Sequence, residues 1–231
     1  NKTFGSLSVN ETGHSIIQLL DSSFIILGSI EDDVFLMKTN RYGQGMEWEQ
    51  SFGGSQNDEA THIQATSDGG YIISGTTKSY GYGGSDIWII KTDNSGLIEW
   101  NNCFGSVYNE SGGQTKETED GGFVIIGSKN MIGDESNNVW IIRTNSQGDS
   151  LWTKTYGGIA FDSGTSILVN EDGGFVILGS TESYGNGDSD IWLIKTDSYG
   201  NQEWSRTYGS GSKDIGQSIF CLLYTSDAAD E

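Results

Sequence analysis

Residues 52–104 read FGGSQNDEATHIQATSDGGYIISGTTKSYGYGGSDIWIIKTDNSGLIEWNNCF, and the same pattern returns in the units that follow. Trp48, Trp100, Trp152 and Trp204 stand 52 residues apart. Trp88, Trp140 and Trp192 form a second series at that interval, with Phe35 in the first unit, and the two series use all seven tryptophans. The turn Asp68-Gly69-Gly70 recurs as Asp120-Gly121-Gly122 and Asp172-Gly173-Gly174, with Asp21-Ser22-Ser23 as a degenerate first copy. Phe52-Gly53, Phe104-Gly105, Tyr156-Gly157 and Tyr208-Gly209 open successive units, and Phe4-Gly5 is the earliest. A fixed period of this length is the mark of a repeat architecture.

Each unit reads as four strands. Ala60 to Thr66 is a first, moderately apolar strand, and Asp68-Gly69 predicts a two-residue type I′ hairpin with φ > 0 at both central positions. Tyr71 to Gly75 and Asp86 to Thr92 are rich in β-branched and aromatic residues. Asp93-Asn94-Ser95-Gly96 closes a second hairpin, and Leu97 to Phe104 is the fourth strand. The middle strands are almost continuously apolar, so both their faces are covered, as when sheets stack. No segment carries a 3.6-residue stripe. A β-sandwich would not require a fixed interval, and solenoid repeats are usually shorter. Four-stranded units of about 40–50 residues are propeller blades.

The expected fold is therefore all-β: a β-propeller fragment of four-stranded antiparallel blades. The blades fall at about 5–52, 53–104, 105–156 and 157–208, with a partial unit at 209–220 and a strand end at Asn1 to Phe4. Residues 221–231, CLLYTSDAADE, abandon the repeat and resemble a translated sequencing-library adapter, so they are expected to be no part of the native protein, whose frame would continue.

Composition narrows the function classes. Glycine at 34 residues with no proline fits many tight turns and argues against a disordered linker. Aromatics at 11% are too many for a disordered acidic tail. A formal charge of −20 excludes a nucleic-acid partner, which needs a basic face, and disfavours anionic membrane surfaces. No apolar run approaches the ~20 residues that span a bilayer. Outside the tail, Cys103 is the lone cysteine, which supports neither a disulfide framework nor a metal cluster.

The segments TDNSGLIEW (92–100), TNSQGDSLW (144–152) and TDSYGNQEW (196–204) resemble the D-x-x-G-x-x-x-W signature of quinoprotein-like propellers. That resemblance implies a tryptophan from each blade docked against its neighbour. The longer pattern, from FGGSQNDEA through SDGGYIISG to SDIWIIKTD, is similar to repeats of bacterial and archaeal surface or secreted proteins, which implies an extracellular or cell-surface location. WD40 and kelch repeats match poorly.

Four polar features recur with the unit. Asp58, Glu110, Asp162 and Asp214 stand 52 apart, just before each first strand. They read either as a ring of carboxylates for a hard cation such as calcium, or as caps accepting backbone N–H groups in their own turns. Lys38, Lys91, Arg143 and Lys195 read as an anion-facing ring or as partners of a neighbouring blade's carboxylates. His14 and His62 each lie ten residues after a Phe-Gly phenylalanine, where later units have Gln114, Ser166 and Ser218, so the position reads as a polar strand site. The loops Ser79 to Gly84 and Ser183 to Asp188 offer Tyr80, Tyr82, Tyr184, Asn186 and Asp188 for recognition of sugars or peptides, or form ordinary long hairpins. They lack the lysine and helix of a phosphate-binding loop.

No unit carries catalytic residues that its siblings lack, and no hydrolase or metalloprotease motif is present. The reading that follows is a non-enzymatic extracellular or surface module for protein or carbohydrate binding or scaffolding. The alternative is part of a quinoprotein-like or hydrolytic propeller enzyme whose active-site blades lie elsewhere.

Overall fold

The computed structural model describes residues 10–131 and 136–221. The strand end expected at Asn1 to Phe4 and nearly all of the tail lie outside them. Every described element is a strand, in four antiparallel sheets taken in chain order. The first holds β1 (Glu11–Gln18), β2 (Phe24–Ile30), β3 (Asp33–Thr39) and β4 (Met46–Phe52). The second holds β5 (Asp58–Ala65), β6 (Tyr71–Thr77), β7 (Asp86–Thr92) and β8 (Ile98–Phe104). The third holds β9 (Glu110–Glu117), β10 (Phe123–Asn130), β11 (Asn137–Thr144) and β12 (Ser150–Tyr156). The fourth holds β13 (Asp162–Val169), β14 (Phe175–Thr181), β15 (Asp190–Thr196) and β16 (Gln202–Tyr208). Each sheet is a meander, and the first strands β1, β5, β9 and β13 lie beside one another at the inner edge. The chain is a β-propeller whose four blades do not close into a ring.

The apolar runs of the middle strands are split between two interfaces. In the second sheet Tyr71, Ile73, Trp88 and Ile90 face the first sheet, against Ile25, Leu27, Val34 and Leu36. From the same strands Ile72, Ile87 and Ile89 face the third sheet, against Phe123, Ile125, Trp140 and Ile142. The third and fourth sheets repeat this with Val124, Ile126, Val139 and Ile141 against Phe175, Ile177, Trp192 and Ile194. Burying each such side chain contributes about 1.5–3 kcal/mol, so the face-to-face seams carry the stability. The outer strands bind the seams together. Trp48 meets Tyr71 of the next blade at 6.3 Å between ring centroids, Trp100 meets Phe123 at 5.7 Å, and Trp152 meets Phe175 at 6.1 Å.

The first hairpin differs from the expected type I′. Gly69 N donates to Thr66 O and Thr66 N to Gly70 O, both at 2.9 Å, and of the turn residues only Gly69 has positive φ, at 89°. This is a type I turn followed by one left-handed residue, a three-residue loop. Asp68 stays right-handed because its Oδ1 accepts Thr66 Oγ1 at 2.5 Å and Gly70 N at 3.0 Å. In the first blade Ser22 takes the left-handed place, at φ 66°.

The inner strands each carry a bulge, which bends them at the centre. In β1 the shift falls between Gly13 and Ser15, and in β5 between Ala60 and His62. His14 is thus the extra residue, and Ser15, opposite Leu27, is the counterpart of His62, opposite Ser74. The two histidines do not share a position, because the approach from Phe-Gly is one residue longer to β1 than to β5.

Candidate functional site

The loops entering the inner strands and those joining the second and third strands gather at one end of the blades. The recurrent carboxylates hold this end together. Asp58 is fully buried: its Oδ2 accepts Gly54 N at 2.9 Å, and its Oδ1 accepts Thr77 Oγ1 at 2.5 Å and the amides of Lys78 and Ser79. Glu110 accepts Ser106 N at 2.9 Å and Ser106 Oγ at 2.7 Å. Asp162 accepts Gly158 N at 2.9 Å, Ser183 Oγ at 2.7 Å and the Thr181 hydroxyl. Asp214 accepts Ser210 N at 2.9 Å. Each acid satisfies an amide four residues back in its own loop. Among the described residues no three His, Cys, Asp or Glu side chains gather as a metal site.

A second row, Asp33, Asp86, Asn138 and Asp190, lies at the start of the third strands and was signalled by its own interval of 52 between the last three. It faces the first row across the glycine of Phe-Gly or Tyr-Gly. A Cβ on Gly105 would lie 1.6 Å from Asp86 Oδ1 and 2.7 Å from Glu110 Oε2. The same point on Gly53, Gly157 and Gly209 is shared by Asp33 with Asp58, Asn138 with Asp162, and Asp190 with Asp214. Asp86 Oδ2 accepts Tyr82 N and Asp190 Oδ2 accepts Asn186 N, both at 2.7 Å. Asp86 Oδ1 and Asn138 Oδ1 are buried without a hydrogen-bond donor and rest on the glycine Cα–H groups. Burial, joined by the Glu110 charge, pushes the Asp86 carboxyl up from its ordinary value.

These anchors position the predicted ligand loops. Tyr80 donates its hydroxyl to Gly53 O at 2.5 Å and lays its ring on Trp88 at 5.5 Å; Tyr184 donates to Gly157 O at 3.0 Å and meets Trp192 at 5.2 Å. Both rings remain about half exposed. Tyr82, Asn186 and Asp188 project freely. Beside them, and not anticipated, stand Val107, Ile159 (91% exposed) and Phe161 on the loops into β9 and β13. The counterpart loop of the third blade, residues 132–135, lies outside the described residues.

The basic series serves the opposite end. Lys91 pairs with Asp68 and Glu99 at 2.8 Å each, Arg143 with Asp120 at 2.6 Å, and Lys195 with Asp172 at 3.0 Å and Glu203 at 3.4 Å. Lys38 pairs with Glu47 at 3.2 Å and Asp21 at 3.7 Å. All partners belong to the same blade, which corrects the expectation of a neighbouring one: the hairpin acids hang directly beside the third strand. The Thr118 hydroxyl, with Arg143, holds the Asp120 carboxyl at about 2.

Between the inner strands a polar ladder links successive blades. Gln114 Oε1 accepts Ser166 Oγ and Ile167 N, each at 2.8 Å, which turns its amide nitrogen to His62 Nε2 at 3.2 Å. Burial, with the Lys116 charge behind it, holds His62 down at about 4, so the imidazole is neutral at physiological pH. Cys103 is pushed up to about 12 by burial and by Asp86 and Asp58, which keeps its thiol protonated.

No protein-family model and no curated protein matches the chain. Among solved structures, a GH43 glycoside hydrolase engineered to display both endo-xylanase and exo-arabinofuranosidase activity superposes with a TM-score of 0.45 at 14% identity. The match spans 90% of this chain and 43% of that chain.

Proposed function

We propose that the chain is a non-enzymatic binding module, working outside the cell or at its surface, that holds a protein or carbohydrate ligand across the loop end of its blades. One observation carries the reading: Tyr80, Tyr82, Val107, Ile159, Phe161 and Tyr184 expose large apolar or aromatic surface on neighbouring loops of one end. Loops anchored by buried carboxylates lose little freedom when they engage a partner, so affinity is gained by preorganisation. Tyrosine rings fixed on one side and open on the other suit stacking against sugar rings or apolar side chains. The first carboxylate row, with Asp86 and Asp190 of the second, is occupied in holding loops, and no calcium or other cofactor enters this reading.

Affinity electrophoresis against a panel of neutral and acidic polysaccharides, with immobilised extracellular-matrix proteins as the second arm, tests it. Tyr82→Ala combined with Phe161→Ala is expected to weaken retention at least tenfold, about 1.4 kcal/mol. Retention untouched by both changes, or turnover of a glycosidic substrate by the purified chain, overturns it.

A further inference from the structure

Three seams join the four blades, and each is built on the same joint. Trp48 seats on Gly96, Trp100 on Gly148 and Trp152 on Gly200, so tightly that a Cβ on these glycines would approach the rings to 2.7, 2.5 and 2.8 Å. Around the joint the seams differ. Between the second and third blades Glu117, the last residue of β9, clasps the second blade: its Oε2 accepts Ser67 N and its Oε1 accepts Ser67 Oγ, both at 2.7 Å. Between the third and fourth blades Val169 stands in the place of Glu117 and Glu119 in the place of Ser67, so the clasp cannot form. This seam instead holds a cavity of about 440 Å³, lined among others by Asp120, Arg143, Leu151, Trp152, Val169 and Tyr199. Four of these differ from their counterparts at both other seams. Arg143 replaces Lys38 and Lys91, Leu151 replaces Glu47 and Glu99, Val169 replaces Ala65 and Glu117, and Tyr199 replaces Ser95 and Gln147. In a chain of repeats, a singular site shows itself by departures that converge on one cavity.

We infer that the groove between the third and fourth blades is a binding site for a neutral saccharide, which lays the C–H face of one pyranose ring on Tyr199 and Trp152. The complement of groups is the argument. Leu151, Trp152, Val169 and Tyr199 supply apolar and aromatic surface, and Tyr199 is 70% exposed. Both oxygens of Asp120 accept Arg143 Nη2 at 2.6 Å, yet its side chain is 64% exposed and keeps lone pairs for hydroxyl donors. Asn170 and Ser198 also line the cavity, and among the described residues their side chains have no hydrogen-bond partner. Charge narrows the class. With Leu151 where other blades have an acid, Arg143 and Asp120 form a pair of zero net charge. An anion would meet Glu119 at the groove and a chain of formal charge −20, and a cation would meet Arg143. A hydroxyl-bearing ring is held by donors and acceptors together and needs no counter-charge. The volume lies within the range of about 300–1,000 Å³ usual for small-molecule sites. The groove is at the end of the blades opposite the tyrosine loops, so this is a second site and does not rest on the reading given for those loops.

Isothermal titration calorimetry of the full chain with cellotetraose, mannotetraose and chitotetraose tests the inference. At least one of the three is expected to bind. Glu119→Ser combined with Val169→Glu copies the Ser67 and Glu117 clasp into this seam, and is expected to close the groove and raise the dissociation constant at least tenfold. Tyr199→Ser, which introduces the residue of the second unit at an exposed position, is expected to do the same, and decides alone should the double variant lose the native circular dichroism. Tyr82→Ala with Phe161→Ala leaves this binding unchanged. No binding of any of the three tetrasaccharides overturns the inference and leaves the loop-end reading to its own test. Binding that survives the groove variants also overturns it, and if that binding is lost in Tyr82→Ala with Phe161→Ala, the sugar is held by the loops instead.

Discussion

Gly105 has no side chain because Asp86 and Glu110 reach the place where one would stand. Asp86 is buried, donates nothing, and faces another carboxylate, so its neutral form is favoured in the fold. A carboxyl raised in this way contributes stability below its ordinary 3.8, and that contribution is lost as pH rises through the folded-state value. Asp86→Asn is therefore expected to raise the melting temperature at pH 7, the amide accepting Tyr82 N and turning a donor to Glu110. The gain shrinks as pH falls through the raised folded-state value toward 3.8 and changes no further below it. A lower melting temperature at pH 7 would show that the charge is needed. Asn138 already holds this position in the third blade. The Asp-Ile-Trp periodicity was legible in the sequence. Its pairing with Glu110 across Gly105 was not, because the two acids meet only after adjacent blades pack.

At the scale of the element, the four strands of each unit were legible because apolar continuity marks strands covered on both faces. Turn geometry was legible only in part. Asp-Gly fits two hairpin types, and the choice fell to the Asp68 carboxylate, which accepts both Thr66 Oγ1 and Gly70 N. The register of β1 was hidden for another reason: the approach from Phe-Gly is one residue longer than in the second unit, which moves every later side chain by one place, and no residue type announces it. Ser22 at φ 66° is the one turn residue of the first hairpins that departs from glycine. Ser22→Gly should stabilise the chain by about 1 kcal/mol, since a left-handed conformation costs an L-residue roughly 1–2 kcal/mol and glycine almost nothing. Chemical denaturation with an unchanged m-value checks this; a loss of stability would mean the Ser22 side chain has a role of its own.

Across the whole molecule, cover is uneven. The second and third sheets are packed on both faces, and the first and fourth on one. Local opening should follow that difference. Hydrogen exchange is expected to be slowest for β6, β7, β10 and β11 and fastest for β1, β4 and β16. Equal protection in all four sheets would mean that the blades open only together. The candidate site followed the same logic of legibility. The glycine-tyrosine loops stood out by composition, whereas Val107, Ile159 and Phe161 looked like ordinary strand-flanking residues until the fold set them beside those loops.

The tryptophan of one blade and the glycine it covers in the next are 48 residues apart in each of the three internal contacts. Both members of that contact are carried by every unit, one facing each way. Genetic gain or loss of a whole 52-residue unit, wherever its ends fall, therefore restores the same tryptophan-on-glycine joint at the new boundary. A change by any other length breaks it. The number of blades can drift in a lineage one unit at a time, without any intermediate gene having to invent a new interface.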